Sequence, residues 1–166
     1  MEQVILVDEQ DRETGVMEKM ETHRRGLLHR AFSVFIFNSR HELLLQQRAL
    51  HKYHSAGLWT NTCCSHPRPS EAVTDAAKRR LFEEMGLQTE LLFKCHFIYK
   101  ADVGNGLIEH EFDHVFVGQS DVDPLLNKEE AAAFKWMSVT DVKTEIALHP
   151  EQFTAWFKIA MTQFYS

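Results

Sequence analysis

A capped helix lies between two groups of β-like segments, and this order most constrains how the chain can fold. In PSEAVTDAAKRRLFEEMGL (residues 69–87), Ser70 is a candidate N-cap and Gly86 stands where a helix C-terminus favours glycine, which predicts a helix over 71–85. Two further helices, 139–149 and 150–164, end the chain. Apolar, β-rich runs predict the strands, at residues 4–9, 31–38, 43–48, 57–64, 91–103, 107–119 and 134–139. The order predicts an α/β (α+β) fold, a mixed sheet with helices packed on it.

The composition is that of a single globular domain. The chain has 166 residues, of which 44% are apolar, and it contains neither a Gly/Ser linker nor an internal repeat, so we expect one domain over 1–166. The turns SRHE and VGNG predict two β-hairpins. A net charge of −6 disfavours nucleic-acid and membrane binding, although a local basic pocket could still hold a small anion. The N-terminus MEQVILVDEQ lacks the features of a signal peptide, and we expect a cytoplasmic monomer.

The cysteines occur as an adjacent pair, Cys63 and Cys64, and a distant Cys95, which is a poor disulfide framework and suggests a reducing compartment. Neighbouring residues of a strand face opposite ways, so the two thiols should meet different environments. Cys64 and His66 are two residues apart and should share a face. A free cysteine is most often a small buried apolar residue, and we assign that role to Cys63.

The segment around the helix resembles the Nudix box, G-x5-E-x7-R-E-U-x-E-E-x-G-U, where U is a bulky apolar residue. Residues 65–87 read S-HPRPS-E-AVTDAAK-R-R-L-F-E-E-M-G-L, with Ser65 in place of the first Gly and Arg80 in place of a Glu. Arg79–Glu83 and Arg80–Glu84 are also ordinary i,i+4 ion pairs of an exposed helix face. Nudix hydrolases gather helix carboxylates around Mg²⁺. Arg80 removes one such ligand and adds an anion clamp, which leaves Glu84 as the expected Mg²⁺ ligand.

Motifs along nearly the whole chain, from about residue 4 to residue 164, resemble the type I isopentenyl-diphosphate isomerase family. They are LLHRAFSVFIFN, LLLQQRA, WTNTCCSHP, the altered box, YKADVGNGLIEHEFD and AWFKIA. The resemblance implies a Nudix-like fold, in which a mixed sheet is sandwiched between helices. It also implies that the protein interconverts isopentenyl and dimethylallyl diphosphate without hydrolysing them, so that a small isoprenoid diphosphate is its expected partner.

The same resemblance implies a set of site residues. Cys64 and Glu111 are the expected proton-transfer groups, and either could be the donor. Tyr99 would donate a hydrogen bond to Glu111, and Trp156 would stabilise a carbocation through its ring face. The expected ligands of one divalent metal are His23, His29, His66, Glu109 and Glu111. The expected diphosphate ligands are Lys19, Arg48, Lys52 and Arg80, with Mg²⁺ bridging from Glu84.

The residues themselves also favour a metal site. Glu109 and Glu111 are two apart in an apolar β-like run, so both carboxylates face one way and repel unless a cation lies between them. Three imidazoles with two carboxylates suit Mn²⁺, Zn²⁺ or Fe²⁺ better than Mg²⁺. His110 and His114 should point away from this face.

Two other functions compete with the isomerase. A Nudix hydrolase acting on a nucleoside or isoprenoid diphosphate would use the same box, but Arg80 and the Cys64/Glu111 pair argue against it. A zinc-stabilised binding module would use Cys63, Cys64 and His66, but adjacent cysteines reach one tetrahedral ion poorly from an extended chain. The sequence also lacks a Cys–His–Asn signature of a thiol protease.

Overall fold

A computed structural model describes residues 1–165; Ser166, the last residue of the predicted domain, lies outside them. The strands are β1 (Gln3–Val7), β2 (Glu13–Glu18), β3 (His29–Phe37), β4 (Glu42–Arg48), β5 (Trp59–Thr60), β6 (Cys63–Ser65), β7 (Leu92–Gly104), β8 (Leu107–Gln119) and β9 (Ala131–Ser138). The helices are α1 (Lys19–Arg25), α2 (Val73–Met85), α3 (Val139–Leu148) and α4 (Ala155–Phe164), and a short 3-10 helix covers Pro150–Gln152. The architecture is a mixed sheet with helices on it, which confirms the predicted fold class.

Strand β3 is the centre of the sheet. It runs parallel to β8 from the pair His29–Glu111 to the pair Phe37–Gln119, and antiparallel to β6 through Ser33–Cys64. The β7–β8 hairpin is antiparallel, as VGNG predicts, and its turn residue Asn105 has a positive φ of 56°. These registers bring segments far apart in the chain to one end of β3.

The sheet is covered on both faces, because β3 alternates its side chains between two apolar cores. Val34 and Ile36 pack with Leu81 and Met85 of α2, while Phe35 packs with Phe157 of α4 on the other face. Each fully buried side chain of this size contributes roughly 1.5–3 kcal/mol by leaving water. As predicted, Cys63 belongs to the core under α2 and Cys64 to the core under α4.

Several predicted boundaries are wrong. Helix α2 begins at Val73, and its N-cap is Ala72 rather than Ser70, whose φ of 66° places it in a left-handed turn. The helix predicted at 150–164 begins only at Ala155, capped by the Thr154 hydroxyl, because the chain is extended at Phe153.

The strand predicted over 57–64 is interrupted at Asn61 and Thr62. Their side chains replace the strand pairing: Asn61 Nδ2 donates to Val34 O, and Thr62 Oγ1 accepts from Ile36 N and donates to Leu44 O. Two buried polar residues thus satisfy the backbone where the ladder is broken.

Strand β2 and helix α1 have no counterpart in the sequence prediction. Helix α1 has seven residues, is capped by Glu18 and ends at Gly26, whose φ is 63°. Among the described residues, no helix is long and apolar enough to cross a membrane.

Candidate active site

Three histidines and two glutamates converge at the end of β3. One ligand atom from each lies within 4.8 Å of those of the others, and all five residues are buried: His23, His29, His66, Glu109 and Glu111. We call this group the His/Glu cluster. Helix α1 carries His23, β3 starts with His29, and β8 presents both glutamates on one face because they are two residues apart. The structure thus brings together all five residues that were predicted to bind one divalent metal.

The ring nitrogens of two histidines are oriented by backbone carbonyls. His23 Nδ1 lies 2.6 Å from Lys19 O, and His29 Nδ1 lies 2.9 Å from Leu27 O. A carbonyl only accepts, so each Nδ1 carries a proton. In the neutral ring, Nε2 then keeps its lone pair. These lone pairs face carboxylates: His23 Nε2 is 3.0 Å from Glu109 Oε1, and His29 Nε2 is 3.3 Å from Glu111 Oε2.

This donor set fits a divalent cation. His29 Nε2 and Glu109 Oε2 are buried without a hydrogen-bond partner among the described residues, although a carboxylate and an imidazole are both nearby. Unprotonated nitrogen and carboxylate oxygen cannot satisfy each other, whereas a metal between them satisfies both. The cluster could therefore hold one divalent metal.

The electrostatics of the cluster favour the metal-binding protonation states of His66 and Glu109 but not that of His23. Burial lowers the pKa of His66. Burial alone would raise the pKa of Glu109, but His23 and His54 beside it hold that pKa well below its usual range. Burial alone would lower the pKa of His23, but its interaction with Glu109 outweighs burial and raises that pKa. Among the histidines of the cluster, His23 is therefore the one at which a proton competes most strongly with a metal.

The Cys64 thiol lies in a polar setting on the neighbouring strand. Its Sγ is 3.0 Å from Asn61 Oδ1, 3.1 Å from Trp156 Nε1 and 3.5 Å from Ser33 Oγ. Burial raises the pKa of this thiol well above its usual value, and the nearby charge of Asp113 raises it further. The resting Cys64 therefore keeps its proton.

Across the same cavity, Tyr99 donates a short hydrogen bond to Glu111 Oε1, and His66 Nε2 lies 2.9 Å from Glu111 Oε2. Tyr99 and Glu111 are direct partners in the β7–β8 register, which explains the contact. Burial, and then the charge of Glu111, raises the pKa of Tyr99, so the phenol remains a donor. Cys64, Glu111, Tyr99 and Trp156 all line one cavity of about 660 Å³, counting its open mouth.

Four cationic side chains also line the cavity, and we call this group the cationic end: Lys19, Arg48, Lys52 and Arg80. Three of them pair with carboxylates of the chain: Lys19 with Glu2 at 2.8 Å, Lys52 with Glu130 at 2.8 Å, and Arg80 with Glu84 at 2.8 Å. The Arg48 guanidinium lies 5.3 Å from the Trp156 ring centre, and its buried Nε has no hydrogen-bond partner among the described residues. Glu84 is buried beside Gln46, and burial raises the pKa of its carboxyl despite Arg80.

The sequence did not reveal several residues of the site. His54, in the loop between β4 and β5, places Nε2 2.7 Å from Glu109 Oε1 and its ring 5.7 Å from that of Trp156. Tyr53 and Glu130 also line the cavity. Asp113 continues the buried face of Glu109 and Glu111, so the same two-residue spacing could have found it. His110 and His114 lie on the opposite face, as predicted, bound to Gly26 O and Asp11.

Known proteins are similar to this chain over most of its length. The family model described as NUDIX domain matches residues 27–157. Isopentenyl-diphosphate Delta-isomerase 2 of Aromatoleum aromaticum is 54% identical over 155 residues, covering 93% of this chain and 82% of that protein. Isopentenyl-diphosphate Delta-isomerase of Pectobacterium atrosepticum is 52% identical over 161 residues, covering 97% and 90%.

Solved structures share the fold at low identity. The MutT protein of Methanosarcina mazei superposes with a TM-score of 0.67 at 19% identity, covering 83% of this chain and 93% of that one. A MutT NUDIX hydrolase of Burkholderia pseudomallei gives 0.65 at 22%, covering 82% and 98%. The fold and the box therefore define a NUDIX-domain protein.

Within that class, the identity over nearly the full length is decisive. The chain belongs to the isopentenyl-diphosphate Delta-isomerase family.

Proposed function

We propose that this protein interconverts isopentenyl and dimethylallyl diphosphate, with Cys64 and Glu111 as the two proton-transfer groups. The observation that carries the proposal is that the Cys64 thiol and a carboxylate of the His/Glu cluster line one cavity together with four cationic side chains. Diphosphate hydrolysis does not require that thiol.

The reaction moves a double bond by one carbon and needs no net change of atoms. One group gives a proton to the terminal alkene carbon, and the other removes a proton from the carbon two positions away. Each turnover removes a proton from the donor and adds one to the acceptor, so proton exchange must reset both groups before the next turnover in the same direction. A positioned acid or base of this kind contributes typically 10²–10⁴-fold to the rate.

The surroundings of each group suit this task. Tyr99 and His66 hold the two oxygens of Glu111, which fixes the carboxylate and leaves it near the cavity. A divalent metal, Mn²⁺ or Zn²⁺ by its donor set, would favour ionised Glu111. Trp156 turns its Nε1–H to Cys64 and lies beside the cavity, where its ring face can stabilise developing positive charge by about 2 kcal/mol.

At the cationic end, the diphosphate would bind Lys19, Arg48, Lys52 and Arg80. Carboxylates of the chain already pair with three of these cations, so we expect Mg²⁺ bound through Glu84 to accompany the diphosphate and balance the added negative charge. Binding the anion there would leave the five-carbon chain between Cys64 and Glu111.

The test is to incubate the purified protein with isopentenyl diphosphate, Mg²⁺ and Mn²⁺, and to follow allylic product by NMR and released phosphate in the same sample. We expect dimethylallyl diphosphate without phosphate release, and no product from the Cys64→Ala variant. Phosphate release without an allylic product would instead identify a NUDIX hydrolase.

A further inference from the structure

Asn61 lies behind the catalytic thiol and is fully buried, yet the reaction as described makes no use of it. It sits where the predicted strand 57–64 is interrupted, between β5 and β6. A buried amide is costly unless its hydrogen-bonding groups are satisfied, so the partners of this side chain show what it does there.

The orientation of the amide is fixed by chemistry. Asn61 Nδ2 donates to Val34 O at 3.0 Å and to Cys63 O at 3.1 Å. Both partners are backbone carbonyls, which only accept, so the NH₂ group must face them and Oδ1 must face the other way. Val34 and Cys63 are register partners of β3 and β6, so Asn61 is anchored to the same strand pair that carries the thiol.

On its other side, Oδ1 meets two donors. Thr60 Oγ1 donates to it at 2.9 Å, and Cys64 Sγ lies 3.0 Å away. A carbonyl oxygen cannot donate, so Asn61 can only accept the thiol proton, and it lies nearer to the sulfur than the other possible acceptor, Ser33 Oγ at 3.5 Å. Trp156 Nε1–H then donates to the sulfur at 3.1 Å, which fixes Sγ between a donor and an acceptor.

The chain of hydrogen bonds continues to the final helix. Thr154 Oγ1 donates to Thr60 Oγ1 at 2.9 Å, and the same Thr154 caps α4, the helix that carries Trp156. Thr60, Asn61 and Thr154 are all buried. The helix N-terminus therefore reaches Cys64 by two routes, directly through Trp156 and indirectly through Thr60 and Asn61.

We propose that Asn61, held by Thr60 and Thr154, is a positioning residue that sets the direction of the Cys64 thiol proton and the place of its sulfur in the cavity. It touches no substrate and acts through Cys64. The proposal rests on the function assigned to Cys64 above, but the hydrogen bond that it invokes can be measured without turnover.

The direct measurement is infrared spectroscopy of the S–H stretch, which falls in a region free of other protein bands. The Cys64 band is the one missing in Cys64→Ser. We expect Asn61→Ala to move that band to higher frequency, because the thiol loses its acceptor. An unchanged band would overturn the proposal, and this arm stands even if the wild type proves not to be an isomerase.

The kinetic measurement compares matched variants. Asn61→Ala should lower kcat about 10- to 100-fold, as loss of one buried hydrogen bond implies, with KM within about threefold of wild type. Asn38→Ala is the control, since Asn38 is also buried and makes three side-chain hydrogen bonds, but in the β3–β4 turn. Asn38→Ala should keep kcat; an equal loss in both variants, or an unchanged kcat in folded Asn61→Ala, would contradict the role.

If Asn61→Ala does not fold, a comparison of Thr60→Val with Thr62→Val tests the proposal instead. Both replace a buried threonine, but Thr60 donates to Asn61 and Thr62 donates only to the backbone of Leu44. We expect Thr60→Val to lower kcat roughly threefold and Thr62→Val to leave it unchanged. Equal kcat values in these two variants would overturn the proposal.

Discussion

The two ends of the cavity differ in how their charges are satisfied. In the His/Glu cluster, lone pairs of imidazoles face carboxylates, and two buried atoms have no hydrogen-bond partner among the described residues. At the cationic end, three of four cations are already paired with carboxylates of the chain at 2.8 Å. At the first end, lone pairs and carboxylates face one another, whereas most cations of the second end are already paired.

The difference implies two kinds of ion binding. In the His/Glu cluster, backbone carbonyls and cross-strand pairing hold the metal-binding atoms in place, so the cluster requires a cation whether or not substrate is bound. A balanced set of long side chains can rearrange, so its ion can arrive and leave with the anionic substrate. We therefore infer a resident metal in the His/Glu cluster and an exchangeable Mg²⁺ at the cationic end.

The largest effect should come from the carboxylate that belongs to both the cluster and the chemistry. Glu111→Gln should lower kcat by about 10³-fold or more, because it removes a proton-transfer group and a metal ligand together. Steady-state turnover by NMR measures it, and Glu90→Gln, at an exposed carboxylate, is the control. A Glu111→Gln rate near that of wild type would remove this residue from the mechanism.

His29→Ala tests whether the metal is resident. Its ring lies 3.3 Å from Glu111 and is fully buried, so its loss should strip the metal from protein purified without an affinity tag. We expect the metal content measured by elemental analysis to fall about tenfold or more, because the variant removes one of the five metal ligands. His110→Ala, on the opposite face of β8, should retain the metal; equal metal content in both variants would contradict the assignment.

Acidification should release the same metal. The raised pKa of His23 means that this ring binds a proton before His54 or His66, whose pKa values burial lowers. Protons compete with the metal for Nε2, so metal affinity should fall as pH drops through the raised pKa of His23, beginning above the ordinary histidine value of about 6.5. Titration with a metal-sensitive dye from pH 8 to pH 5 measures this, and pH-independent affinity would argue against histidine ligands.

Arg80→Glu tests the cationic end. It should raise KM for isopentenyl diphosphate about 10- to 100-fold, because a half-buried cation that binds the anion becomes a second negative charge beside Glu84. Resident metal content should not change. Lys78→Glu, on the exposed side of the same helix, is the control. An unchanged KM in Arg80→Glu would show that the altered box does not bind the diphosphate.

Cys63→Ala should have the smallest effect. Cys63 is fully buried in the core under α2, away from the cavity face, so we expect kcat near that of wild type and a loss of about 1 kcal/mol in the free energy of unfolding. Urea denaturation and turnover measure the two quantities. Lost turnover at normal stability would mean that the wrong cysteine has been assigned.

Residue spacing predicted much of this site, because two-residue periodicity survives in any strand. It placed Glu109 and Glu111 on one face and separated Cys63 from Cys64, and both results hold in the structure. The resemblance to the family supplied the histidines, which come from three separate elements and share no local pattern.

Other features left no such signal. Helix α1 has only seven residues and a Glu cap, so periodicity could not identify it, although it carries His23. His54 lies in an irregular loop, where side-chain direction follows no period. Asn61 interrupts a β-like run for reasons that only its long-range partner Val34 reveals.

The central claim is that Cys64 and a metal-held Glu111 flank one substrate. A crystal structure of the inactive Cys64→Ala variant, loaded with Mn²⁺ and soaked with isopentenyl diphosphate, tests it most directly. We predict an anomalous peak among the five cluster ligands and a five-carbon chain between residue 64 and Glu111, with the diphosphate at the cationic end. A substrate bound elsewhere, or a cluster without metal, would contradict it.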